Sequence, residues 1–131
     1  MKTIIASGKR KRAIAKATLK PGKGIFKVNN ILLDNFEPLL PKLKIKEPIM
    51  LAEGVSSKVD IHVKCNGGGF MSQAEAARLA VARSLVEYDK KLEKVFLEYD
   101  RNLLVGDVRR KEPSKPNRHG KARAKRQKSY R

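Results

Sequence analysis

One cysteine, no tryptophan, three tyrosines and four phenylalanines in 131 residues exclude a good deal before any motif is sought. Cys65 cannot close an internal disulfide. With only His62 near it and His119 far along the chain, it also leaves no zinc-ligand spacing. Such cysteine usage suits a reducing compartment. Aromatic residues make up 5% of the chain, too few for a reader that stacks successive bases on a sheet face. No segment approaches the roughly 20 apolar residues needed to cross a bilayer, and Met1 to Ile5 is too short for a signal peptide. A cytoplasmic protein without a membrane partner is the expectation. Negative charge is the other scarcity. Thirteen Asp and Glu face 31 Lys and Arg, for a formal charge of +18 and a pI near 10.3. A chain so charged repels itself unless a polyanion is present, which makes nucleic acid the first partner to consider.

What is present is organised around Gly67 to Leu85. Gly67, Gly68 and Gly69 mark a tight passage that side chains would block. A helix follows, with Ser72 and Glu75 at capping-box spacing. Ala74, Ala76, Ala77, Ala80 and Ala82 keep this helix slim enough to lie close to a sheet, with Phe70, Leu79, Val81, Leu85 and Val86 as larger contacts. Arg78 and Arg83 are left to point elsewhere.

Before it, Thr3 to Ala6 and Ala13 to Leu19 are apolar-leaning runs on either side of Ser7-Gly8-Lys9-Arg10-Lys11-Arg12, read as two strands or one bent strand. Pro21-Gly22-Lys23-Gly24 signals a turn, from which Ile25 to Val28 is expected to return antiparallel as a hairpin. Asp34, Glu37 and Pro38 open a short helix ending near Pro41, and Glu47-Pro48 opens a second that Gly54 stops. Val59, Ile61, Val63 and Cys65 alternate with polar residues as a strand with one buried face. After the long helix, Asp89 caps another, with Leu92, Val95, Phe96 and Tyr99 on one side.

Two units are expected: a globular RNA-binding domain over 1–108 and an extended basic tail over 109–131. The tail holds eleven Lys or Arg against Glu112 alone. No apolar residue in it is larger than alanine apart from Tyr130, so it cannot bury enough surface to order itself. Arg109, Arg110, Lys111, Lys115, Arg118, Lys121, Arg123, Lys125 and Arg126 are therefore candidate phosphate contacts, together with Lys9, Arg10, Lys11, Arg12, Arg78 and Arg83 in the body.

No catalytic residues are assigned. Asp60, His62 and Lys64 share a strand face without a nucleophile or oxyanion loop, Cys65 falls on the apolar phase, and no acid pair stands out. Gly67, Gly68 and Gly69 lead into a helix and form a candidate phosphate seat. The P-loop spacing is missing, however, and no Lys follows the third glycine. No cofactor, metal or small-molecule substrate is expected.

The chain also resembles the universal small-subunit ribosomal protein S9 family, in an archaeal-type version. Gly67-Gly68-Gly69, Gln73, Ala76, Ala80, Ala82, Arg83 and Leu85 fall on its signature in register. Asp107 to Glu112, Gln127 to Arg131 and Ser7 to Ala13 match further motifs, so the likeness spans nearly the whole chain. The resemblance implies an α/β (α+β) fold of the ribosomal protein S5 domain 2-like kind: a mixed four-stranded sheet with helices on one face, a left-handed β-α-β unit and an extended basic C-terminal tail. It implies a structural role in the head of the small subunit, bound to small-subunit ribosomal RNA beside neighbouring ribosomal proteins. By position, Lys128 and Arg131 would reach phosphates of the P-site tRNA anticodon stem-loop. The rivals are a small enzyme holding a phosphorylated substrate on the glycine loop, and a chromatin-like DNA binder.

Overall fold

The computed structural model describes residues 2–124. Ile4–Arg10 (β1) and Ala13–Pro21 (β2) form an antiparallel hairpin that pairs Arg10 with Ala13. Lys11 and Arg12 make its two-residue turn, and Lys11 takes the left-handed backbone (φ 53°) that such tight reversals need. The segment from Ser7 to Arg10 is thus strand, not an interruption between strands. In β2 the alternation is strict: Ala13, Ala15, Ala17 and Leu19 are fully buried.

Val59–Asn66 (β5) buries Val59, Ile61, Val63 and Cys65, as its period-two pattern requires. Burial pushes the Cys65 thiol up to about 11, so it packs as a small hydrophobe. The expected hairpin after Pro21 does not form. Phe26–Val28 (β3) pairs parallel with β5, and β5 pairs antiparallel with β2, so β5 lies between the two strands that the turn connects. Asp60 explains the detour. Its carboxylate accepts hydrogen bonds from the backbone N–H groups of Lys23 (2.9 Å) and Ile25 (2.8 Å), while Gly22 donates to the Lys58 carbonyl. These bonds, Ile25 first, hold the Asp60 carboxyl below the ordinary range. The Pro-Gly segment is tied across the start of β5 and delivers the chain to its far side.

Ile31–Leu32 (β4) is a two-residue edge strand beyond β3, giving the order β1-β2-β5-β3-β4. The sheet is mixed, as the resemblance implied, with this short fifth strand added to four. A 3₁₀ turn at Leu33–Asn35 follows, and then Leu39–Leu51 (α1). The two short helices expected here are one. Pro41 falls in the first turn, where a missing N–H leaves no bond unmade. Pro48 lies inside the same helix, buried with Pro41 and Ile45, and the helix runs on past it to Leu51. Nor does Gly54 act as a stop, since it lies within the single turn Glu53–Ser56 (α2).

Phe70–Tyr88 (α3) is the central helix, and it packs on β1, β2, β5 and α1. Its N-cap is Gly69, with no side-chain cap, so the capping box is not made. Phe70 is 64% exposed, against expectation, because it opens the helix ahead of the packed face. Ala76, Ala77 and Ala80 are fully buried against the alanines of β2 and against Gly8 of β1. Small side chains on both surfaces let helix and sheet axes approach closely. At Gly8 the approach is closest: a Cβ there would overlap the Ala76 carbonyl oxygen and lie 2.9 Å from the Ala80 nitrogen.

Asp89 accepts from the Lys91 N–H, and Leu92–Tyr99 (α4) follows. Only Phe96 of the expected stripe is fully buried. Val95 and Tyr99 are 41% and 56% exposed, because α4 spans barely two turns and rests on one anchor. A 3₁₀ turn at Arg101–Leu103 buries Leu103, and residues 105–124 contain no helix or strand. No helix among the described residues is long and apolar enough to cross a membrane.

Replacing Gly8 with Ala should therefore destabilise the protein by about 1–3 kcal/mol through overpacking against helical backbone. Urea denaturation would read this as a lower midpoint with an unchanged slope. A variant as stable as the parent would contradict the close seating of α3.

Candidate nucleic-acid interface

The basic residues separate into two groups by what they touch. Arg10 ends β1 with its side chain 13% exposed, donating from Nε to Glu75 Oε2 at 2.6 Å and holding Nη1 3.4 Å from Asp107 Oδ2. Arg78, one turn beyond Glu75 on α3, is 14% exposed and lies between Glu47 (2.5 Å) and Asp100 (3.2 Å). Lys44 joins from α1 at 3.0 Å from Glu75. Four segments far apart in sequence are thereby stitched at one end of the helical layer. Arg10 and Arg78, both candidates for RNA contact, are committed inside the fold.

The carboxylates of this network are held in their charged form. Burial alone would raise the Glu75 carboxyl, but hydrogen bonds from Lys44 and Arg10, with their charges, bring it below its ordinary value. Asp100 is lowered first by the Asn102 N–H that it accepts, then by Arg78. Asp107 is lowered furthest. The Arg109 guanidinium and backbone N–H both donate to it, and Arg10 adds its charge. Asp107 thus fastens the first residue of the C-terminal extension to the body.

The second group faces solvent. Lys9, Lys11 and Arg12 are exposed on β1 and its turn. Arg83 is exposed, yet it donates to the carbonyls of Ser7 (2.9 Å) and Leu104 (3.2 Å), so its guanidinium is held in place beside β1. In the extension, Arg109, Arg110, Lys111, Lys115, Arg118, Lys121 and Arg123 are all exposed. Glu112 gathers Lys115 (2.9 Å) and Arg123 (2.7 Å), and the Lys115 N–H donates to the Lys121 carbonyl, a local loop without regular structure. Lys125, Arg126, Lys128 and Arg131 lie outside the described residues.

Gly67 and Gly68 have left-handed backbones (φ 73° and 64°), and a Cβ on them would come within 2.8 Å of the Arg12 carbonyl oxygen and 3.0 Å of Ala13. Close packing on the β1–β2 turn accounts for both glycines. That contact sets the glycine loop against the backbone of Arg12, a candidate that the sequence separates from it by more than fifty residues. Gln73 ties the loop to the helix by donating to the Gly67 carbonyl at 3.0 Å. Asp60 is occupied by loop amides, so it does not partner His62 in a catalytic pair. Among the described residues no group of three His, Cys, Asp or Glu is placed to hold a metal ion.

Reading the sequence for cations missed the carboxylates that decide which of them are free. Glu75, Asp100 and Asp107 meet Arg10 and Arg78 across separations of 22 to 97 residues, and no local pattern carries that information.

A small α/β body joins its partly buried charges in ion pairs and displays exposed cations on a turn and along an extension without regular structure. A family profile described as "Ribosomal protein S9/S16" matches residues 8–131. Two relatives, each described as "Small ribosomal subunit protein uS9", align over the whole chain: one from Methanothrix thermoacetophila at 50% identity, covering all of that protein, and one from Desulfurococcus amylolyticus at 47%, covering 94% of it. The chain belongs to the ribosomal protein S9/S16 family, a family of structural proteins and not of enzymes.

Two outcomes follow for the ion-pair network. Arg78→Met should destabilise the fold by about 1–3 kcal/mol, because it strands Glu47 and Asp100 partly buried without their cation. The lowered carboxyls add stability that is complete above their unfolded values near pH 4 and is lost as pH falls through the folded values. Urea midpoints should therefore fall between pH 5 and pH 2. Glu75→Gln should show a shallower fall; an identical profile would remove Glu75 from the account.

Proposed function

We propose that this protein is a structural component of the small ribosomal subunit, in the cytoplasm, binding small-subunit ribosomal RNA in the head among neighbouring ribosomal proteins. The observation that carries the reading is the extension. Its cations from Arg109 to Arg123 are exposed on backbone without regular structure, and its root is fastened to the body at Asp107. A backbone of that kind can follow a groove between RNA helices, where Arg provides bidentate phosphate contacts and Lys point charges.

The body would dock by Lys9, Lys11, Arg12 and the positioned Arg83, with Gly67, Gly68 and Gly69 beside the turn as a backbone seat for a phosphate. Arg10 and Arg78 act one step back, holding β1 and α3 in the arrangement that presents those groups. Residues 109–131 form the RNA-threading arm, and Lys128 and Arg131 at its end contact phosphates of the P-site tRNA anticodon stem-loop.

Each phosphate neutralised should contribute about 0.7–0.9 to the slope of log affinity against log salt. Removing residues 109–131 should flatten that slope for ribosomal RNA more than any single substitution in the body. An unchanged slope would contradict the arm as an RNA-binding element. Removing Arg131 alone should leave assembly into small subunits intact and lower retention of P-site tRNA; unaltered retention would confine the arm to ribosomal RNA.

A further inference from the structure

The helices cover one face of the sheet and leave the other open, and this open face is sorted by charge. Along β2 the outward residues are Ile14, Lys16, Thr18 and Lys20, and along β5 they are Asp60, His62, Lys64 and Asn66. β1 adds Ile5, Ser7 and Lys9, and β3 adds Lys27. Of the chain's 13 acidic residues, Asp60 alone lies on a strand, and its carboxylate is occupied by the N–H groups of Lys23 and Ile25. Lys9, Lys16, Lys20, Lys27 and Lys64 form no ion pair with any described residue.

The register sharpens this. Lys16 sits directly opposite Lys64 across the β2–β5 pairing, at the centre of the sheet. Like charges at opposed positions of neighbouring strands repel and destabilise the pair. The ion pairs of Glu75 and Arg78 show cations of this fold paired with acids, yet at this central position two lysines stand together without an acid. In the next row His62 lies between Thr18 of β2 and Lys27 of β3.

We propose that this helix-free face is a second RNA-docking surface, on which Lys16 and Lys64, flanked by Lys20, Lys27 and His62, bind backbone phosphates of small-subunit ribosomal RNA. The inference rests on the ribosomal reading above and deepens it with residues on the opposite side of the sheet from α3. The face is about 20 Å across by strand spacing, and Lys16 and Lys20 are about 13 Å apart along β2, dimensions suited to phosphates of one RNA helix. It carries no Phe, Tyr or Trp, so it contacts backbone and does not stack bases. Lysine is depleted in the cores of protein–protein interfaces, which argues against a protein as its occupant. Bound on both sides, the body would be held between RNA segments, with the hairpin turn and extension on one and the sheet face on the other.

The test uses the full-length protein and transcribed small-subunit ribosomal RNA of Methanothrix thermoacetophila. Lys16→Gln/Lys64→Gln should reduce the salt slope by about 1.4–1.8. Lys90→Gln/Lys94→Gln, on exposed residues near α4, removes the same charge and should leave the slope unchanged. The urea midpoint of the first variant should equal or exceed that of the parent, since a repulsion is relieved; this separates lost contact from lost folding. Equal slopes for both variants and the parent would overturn the sheet-face proposal alone. A parent protein with no salt-dependent affinity for this RNA would overturn the ribosomal reading together with it. In isolated small subunits, Lys16 and Lys64 should resist amine acylation until ribonuclease treatment. Protection that survives ribonuclease would make the occupant a protein and overturn the proposal.

Discussion

The seating of α3 on β1 and β2, glycine and alanine against alanine, is the constraint from which the rest of the structure follows. Gly8 lies under Ala76 and Ala80 with no room for a methyl group, and the neighbouring positions of β2 are alanines with no exposed surface. A close approach makes the contact between helix and sheet dense despite the small side chains, because dispersion falls off steeply with distance. It also sets the position of everything that α3 carries. Glu75 and Arg78 reach β1, α1 and the 3₁₀ turn after α4 only because the helix is held down, and Arg83 reaches the Ser7 carbonyl for the same reason.

From this seating comes a division of the chain's charge. On the helical side, carboxylates and guanidinium groups are paired and partly buried, and the pairs join β1, α1, α3 and the start of the extension. Such pairs are poor sources of net stability, since desolvation opposes attraction; they specify which segments meet. With most acids on the helical side or in surface helices and loops, the lysines of the open sheet face form no ion pair with any described residue, and in the extension Arg110, Lys111, Arg118 and Lys121 form none, while Arg109 is held by Asp107 and Lys115 and Arg123 by Glu112. A fold with a formal charge of +18 thus directs its excess outward on two surfaces. Asp107 stands at the boundary, paired with Arg10 of the body and with Arg109 of the arm.

The ribosomal family identity accords with this division. A polyanionic partner of large, fixed shape needs phosphate contacts that set position and an arm that follows a path. The glycine loop shows a local structural need that sets where a neighbouring turn lies. Gly67 and Gly68 are required by contact with the β1–β2 turn, and that same contact brings the loop against the backbone of Arg12 and Ala13.

What the sequence by itself determined was whatever depends on neighbours a few residues apart. The strand at Val59 to Cys65 was legible because its period of two is local, the slim buried helix because alanine spacing is local, and the lack of helix or strand over 109–124 because that stretch is rich in cations and poor in apolar residues. The family likeness was legible through the glycine and alanine signature. Only the tertiary structure decided where β3 would pair, because a Pro-Gly turn states that the chain reverses and not which strand receives it; Asp60, 35 to 37 residues away, made that choice. It decided likewise that two prolines would share one helix, and that Arg10 and Arg78 would be structural while Lys16 and Lys64 would be free. Whether a cation is available depends on carboxylates brought near it in space, and chain topology, not local pattern, sets that distance.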